Sequence, residues 1–339
     1  AFKDEVIPWI ATSHEFNADY TELTVRIRDN VEWSDGAPWT AHDVVFTVNM
    51  LKDHAPSLTY STDMANWVEE AVAVDSLTAR IKLTAPNPRF AFSYLTAIFG
   101  IGVPIVPRHI WEGKDPNTFE NFDIARGWPV VSGPYTMTLS SPQQRIWDVR
   151  DDWWAERAGW AERPQVERVI YLPHMEEAKR VQNLIANAMD TSLDLRPPNI
   201  QTIIDRNPRV STWTGRQPPL GYVDFWPVSL GFNTLEPPFD DPDLRRAINY
   251  AIDRAQLVEI GWQGAGKSTL LPFPDYPALR PYVSAVSDLI QTSEIGVFDA
   301  EKSARIMRAK GWERAEGQFW QKDGPVSYTH LTLPTTPVV

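Results

Sequence analysis

The chain has 339 residues, 43% of them hydrophobic and 22% charged, with a formal net charge of −12. That length can bury two or three cores, and the acidic balance argues against a sequence-independent grip on nucleic acid or anionic lipid. The lack of cysteine excludes disulfides and thiolate metal sites, and no apolar run approaches the ~18 residues that span a bilayer.

The first strand expected is 23–28, where Leu23, Val25 and Ile27 alternate with Thr24, Arg26 and Arg28. Ser34-Asp35-Gly36 supplies turn chemistry, with Gly36 expected at positive φ. Thr40 followed by Asp43 resembles a capping box with Asp in place of Glu or Gln, and Val44, Val45, Val48 and Leu51 continue as a helix over 41–53. A strand at 78–83 and a helix at 89–98 follow, then strands at 134–140, 144–149 and 166–172 and helices at 175–188 and 199–206. Strands are expected at 209–214 and 222–232. A long helix is expected over 242–260, capped by Asp241, with Pro242 at its first position and a stripe of Leu244, Ala247, Ile248, Ala251 and Ile252. The last helix is 299–310. The 29 prolines fall mainly between elements.

Four blocks carry a resemblance: Arg28 to Gly36 with Thr40 to Phe46; Val131-Ser132-Gly133-Pro134-Tyr135; Trp147-Asp148-Val149-Arg150-Asp151-Asp152-Trp153-Trp154; and Gly231 to Asp241 with the helix after it. In this order and spacing they resemble the family 5 solute-binding proteins of ABC importers, the oligopeptide, dipeptide and oligosaccharide receptors. The resemblance covers residues 7 to about 324. It implies an α/β, two-lobed, periplasmic-binding-protein-like fold of type II with an extra domain, built of mixed sheets with flanking helices and incomplete here. It also implies three parts: 1–136, the extra domain plus a lobe edge; 137–232, the middle of the hinge lobe; and 233–325, the start of the second ligand-binding lobe. Full-length members are longer at both ends, so the chain is expected to be a fragment, with no signal peptide visible at Ala1. Residues 326–339 resemble translated library adapter and are expected to be a non-native tail.

Residues 261–268, Gly261-Trp262-Gln263-Gly264-Ala265-Gly266-Lys267-Ser268, match the phosphate-loop pattern G-x-x-x-x-G-K-[ST]. That pattern works between a buried strand and a helix N-terminus. Here a helix is expected before it and Pro272 and Pro274 follow it, so the reading is a Gly turn closing a helix. The six His lack metal-ligand spacing. Adjacent carboxylates such as Asp151-Asp152 and Asp240-Asp241 point different ways and make no acid/base pair by themselves. No cofactor, metal or catalytic residue is expected, and the enzyme alternatives, an NTPase through Lys267 or a hydrolase, lack positive support.

Tryptophan is the compositional outlier: 15 Trp against 10 Tyr and 14 Phe. Indole stacks on flat ligand faces and also fills cores. Trp213, Tyr222 and Trp226, beside the strand leading into Gly231, and Trp262, after the long helix, are the candidate ligand contacts, with core packing as the other reading for each. The resemblance implies an extracytoplasmic receptor, periplasmic or a cell-surface lipoprotein and a monomer when full length. It would enclose a small oligomeric solute, peptide or oligosaccharide, by cleft closure and present it to ABC permease subunits. The Trp excess favours the oligosaccharide; a peptide-specific receptor is the alternative.

Overall fold

A computed structural model describes residues 7–96, 102–217, 220, 227–274, 276–315 and 319–322. The chain divides into two compact units, 1–174 and 175–339.

The first unit is built on an antiparallel sheet of four strands in the order β1-β2-β4-β3: β1 Ala11–Phe16, β2 Glu22–Ile27, β3 Val68–Asp75 and β4 Thr78–Leu83. The alternation read in β2 sets the register, pairing Leu23 with Ile81 and Val25 with Ala79, all four buried. Helix α1, Ala41–Asp53, packs on β3 and β4 and buries Val44, Val48 and Leu51. Its capping box is formed. The Thr40 N–H donates to Asp43 Oδ2 at 2.8 Å, while the Thr40 side chain accepts from the His42 N–H. The other oxygen, Asp43 Oδ1, accepts the Arg108 N–H at 2.8 Å, so one buried carboxylate joins the starts of two helices.

The turn before α1 is held twice. Asp35 Oδ1 accepts the Ala37 N–H at 3.1 Å, and the Ser34 N–H donates to Val131 O at 2.7 Å. Gly36 has φ +84°, as expected, and a Cβ there would meet no atom within 4 Å. Gly36→Val is therefore expected to cost about 1–2 kcal/mol through backbone conformation alone. Urea denaturation checks this, and an unchanged midpoint with an unchanged slope would contradict it.

After β1, β2 and α1 the unit adds α2 Ser61–Trp67, α3 Phe90–Tyr94, α4 Arg108–Trp111 and α5 Trp154–Arg157. A second antiparallel sheet joins β5 Tyr135–Ser140, β6 Arg145–Val149 and β7 Arg168–Tyr171 in sequence order. Across β6 and β7, Arg168 grips Asp148 with two nitrogens, at 2.6 and 2.7 Å, and this hydrogen bonding holds the Asp148 carboxyl below its usual range. Five of these elements were not anticipated: the four-residue helices α4 and α5, and β1, β3 and α2. β1 lies at a sheet edge with four of its six residues exposed, so it carries no apolar alternation. β3 is irregular in register at both ends, which breaks its period of two. α2 is only seven residues long and passes directly into β3. The helix expected at 89–98 shortens to α3, with 97 and 98 outside the described residues.

The second unit is helical among the described residues: α6 Glu177–Ile185, α7 Pro197–Arg206, α8 Pro242–Ala251, α9 Arg254–Gln256, a π-helical turn at Leu257–Gly261, α10 Arg280–Ala285, α11 Ser287–Ser293 and α12 Ala300–Ala309. Asp241 caps α8 as expected, accepting the Asp243 N–H at 2.9 Å. α8 packs against α12, burying Leu244, Ala247 and Tyr250.

The single helix expected over 242–260 is corrected to three pieces. Ile252 is extended, at φ −95° and ψ 109°, and Asp253 caps a new start by accepting the Gln256 N–H at 3.0 Å. The apolar stripe runs through Ile252 without a break; the competing Asp cap ends the helix. The strand expected at 209–214 is likewise absent: Thr212 and Gly215 form only an isolated bridge. Of the strand expected at 222–232, residues 222–226 lie outside the described residues and 227–232 have no regular structure.

Candidate functional site

Two of the four candidate contacts, Trp213 and Trp262, can be placed; Tyr222 and Trp226 lie outside the described residues. Trp213 occupies the tip of a tight reversal. The Thr212 N–H donates to Gly215 O and the Gly215 N–H to Thr212 O, both at 2.9 Å, with Gly215 at φ +89°. The hydroxyls of its sequence neighbours Thr212 and Thr214 are hydrogen-bonded to each other at 3.1 Å. At 84% exposure, Trp213 is not a core residue of its unit. Exposed aromatic carbon beside hydroxyls suits a ligand with an apolar face and polar edges.

Trp262 is 53% exposed and closes the π-helical turn, its N–H donating to Leu257 O at 3.1 Å. Phe232 packs against Phe239, with ring centroids 5.1 Å apart and both residues half-buried. The phosphate-loop match at 261–268 follows this helical turn. Gln263 and Gly264 take positive φ, no strand precedes it and no helix opens after it. Calorimetry with ATP and magnesium is expected to show no heat above dilution; micromolar binding abolished by Lys267→Ala would overturn that reading.

Each unit also has a groove. In the first, about 380 Å³ lies between α1 and α4, bounded by His42, Phe46, Met50, His54 and Trp111. In the second, about 510 Å³ lies along α6 and α7, bounded by Glu177, Gln182, Arg196, Asn199 and Arg206. Burial pushes the Glu177 carboxyl up. Hydrogen bonds from Asn199 Nδ2 and the Arg196 N–H, both at 2.7 Å, together with the nearby Arg196 and Arg180 charges, outweigh it and hold the group below its usual range. Neither groove is lined by Trp213 or Trp262.

Among the described residues no three His, Asp or Glu side chains converge as metal ligands. A histidine–carboxylate contact absent from the sequence reading joins His109 Nε2 to Asp35 Oδ2 at 2.7 Å, tying α4 to the Gly36 turn. Their separation of 74 positions left no local signal. No described helix is long and apolar enough to cross a membrane.

The family model described as "Bacterial extracellular solute-binding proteins, family 5 Middle" matches residues 5–338. Protein XP55 of Streptomyces lividans is 25% identical over 318 residues, which are 94% of this chain and 52% of that protein. The dipeptide-binding protein of Escherichia coli is 24% identical over 327 residues, 91% of this chain and 56% of that protein. The crystal structure of a mannohexaose-bound periplasmic oligopeptide-binding protein from Thermotoga maritima superposes with a TM-score of 0.71 and 26% identity, covering 93% of this chain and 56% of that one. The chain thus spans about half the length of the curated relatives it matches. The fold class read from the four sequence blocks, α/β of the periplasmic-binding-protein type, agrees with this likeness.

Proposed function

Since this chain belongs to the family 5 bacterial extracellular solute-binding proteins, we propose that it forms part of a receptor that captures a small oligomeric solute outside the cytoplasm and delivers it to an ABC permease. The observation that carries this is the family match, which runs through residues 5–338 and takes in all four sequence blocks. The reading includes a periplasmic or lipid-anchored location, a monomeric receptor without catalytic activity, and the three-part division 1–136, 137–232 and 233–325. Ligand contacts made on both lobes would favour the closed form, and closure would be the state the permease reads.

Oligosaccharide is the favoured ligand class. Its support is the exposed Trp213 in a threonine-flanked turn, and the mannohexaose bound by the Thermotoga protein. The peptide reading keeps its own support in the dipeptide-binding relative.

Calorimetry on the full product of the gene, titrated with mannohexaose and separately with a nonapeptide, tests the choice. Mannohexaose is expected to bind, and Trp213→Ala or Trp262→Ala to weaken it by about 1–3 kcal/mol. Peptide binding with no response to the sugar would reverse the ligand class. Unchanged affinity in both variants would remove these residues from the site.

A further inference from the structure

The Trp213 turn has an anchor that the sequence did not single out. Arg216, the residue after Gly215, turns its guanidinium back under the segment. Nη2 donates to Ile204 O at 2.5 Å, in the last turn of α7. Nη1 donates to Pro208 O at 3.0 Å, to Asn207 O at 3.3 Å and to Val210 O. The acceptors run from the helix to the residue two before Thr212. The chain from 204 to 216 is thereby wrapped around a single cation, with Trp213 at the far end.

Charge and geometry both favour this arrangement. Helix C-terminal carbonyls carry partial negative charge and attract a cation, and hydrogen bonds from a charged donor are stronger than neutral ones. A planar guanidinium can serve several acceptors at once, where an ammonium is a point charge. At the helix end the Asn207 N–H serves Ile203 O at 2.8 Å, while Ile204 O, four residues before the N–H-less Pro208, takes its donor from Arg216. What Arg216 adds is the tie between α7 and the approach to the turn. Trp213, 84% exposed, stands on the turn that this tie holds.

We propose that Arg216 is the positioning residue that fixes the Thr212–Gly215 turn to α7 and so holds Trp213 ready for ligand. The ligand half of this statement rests on the reading of Trp213 given under the proposed function; the ordering half does not. A preordered platform avoids the cost of immobilising it on binding, so the gain appears in affinity.

The test uses the full gene product labelled with 5-fluorotryptophan, the Trp213 resonance being assigned by its loss in W213F. Relaxation of that resonance is compared in wild type, R216Q and R216K, alongside exchange of the α7 amides Ile203 and Ile204. Arg216→Gln is expected to make the Trp213 ring markedly more mobile while α7 exchange stays as in wild type. Arg216→Lys, which keeps the charge but not the fork, should restore part of the order. Mannohexaose should shift the Trp213 resonance, and its affinity should fall about tenfold in R216Q.

Unchanged Trp213 relaxation in R216Q overturns the proposal. So does a loss of α7 protection in step with ring mobility, since Arg216 would then be only a helix cap; if R216Q fails to fold, the same comparison is made on R216K. A wild-type Trp213 resonance that ignores mannohexaose counts against Trp213 as a ligand contact, and relaxation still decides the role of Arg216.

Discussion

Trp154→Ala is expected to destabilise the first unit by about 3–5 kcal/mol, the range for emptying a buried large aromatic site. Trp154 is 1% exposed at the start of α5 and stands at the centre of an indole cluster. Trp160 stacks on it at 6.1 Å, and Trp153 and Trp9 meet it edge-on at 6.1 and 5.9 Å. Arg28 lies over the Trp160 ring at 4.6 Å, so the cluster also reaches the end of β2. The Trp154 indole N–H donates to Ser132 O at 2.9 Å, and that carbonyl also accepts from Trp153 at 3.2 Å. Losing Trp154 therefore leaves no orphaned acceptor, and the cost is the cavity. The melting transition of this unit should fall on the order of 10 °C. Trp154→Phe, which refills most of the volume and drops one hydrogen bond, should cost about 1–2 kcal/mol. Scanning calorimetry checks both, and a loss below ~1 kcal/mol for the alanine variant would mean the cluster does not bear on stability.

Asp43→Ala should cost about 3 kcal/mol. Removing a helix cap costs ~1 kcal/mol, and a further 1–3 kcal/mol follows from leaving partly buried backbone donors unpaired. Both losses occur here. Asp43 is 3% exposed, and it satisfies the Thr40 N–H on one oxygen and the Arg108 N–H on the other. The neighbouring Thr47 hydroxyl donates to Asp43 O at 2.8 Å and accepts the Val106 N–H at 3.1 Å, so α1 holds the approach to α4 at two points. Urea unfolding gives the magnitude and amide exchange the location. Arg108 and Thr40 should lose protection together; an unchanged Arg108 amide would break the proposed link between the helices.

The candidate site was legible only in outline. Composition singled out tryptophan but left ligand contact and core packing open, and the turn residues around Gly215 explain how Trp213 reaches solvent. The carbonyls gathered by Arg216 could not be read in advance. A lone Arg beside a Gln and two Pro has no periodicity, and its acceptors are backbone atoms that every residue carries. The 209–214 strand failed for a related reason: among the described residues, β-favouring Val210, Thr212 and Trp213 have no neighbouring strand to pair with, and β propensity expresses packing and pairing more than backbone preference.

Local chemistry by itself determined α1 and its capping box, the positive φ at Gly36, the strands β2 and β4, and the Asp241 cap with Pro242 behind it. In each, the deciding contacts lie within a few residues along the chain, or follow from a simple period, so the sequence contains the whole argument. Family identity was legible for another reason: four blocks in fixed order are too long to arise by chance. Tertiary structure decided the rest. Only the fold brings Asp43 to Arg108, 65 positions on, and His109 to Asp35, 74 positions back. It also adds β1 and β3 to the sheet through backbone pairing that needs no side-chain pattern, and it ends α8 at Ile252, because a second Asp cap at Asp253 and packing on α12 outweigh a stripe that could have continued. Short-range rules specify where an element can start; which of several permitted arrangements survives depends on partners that only the folded chain supplies.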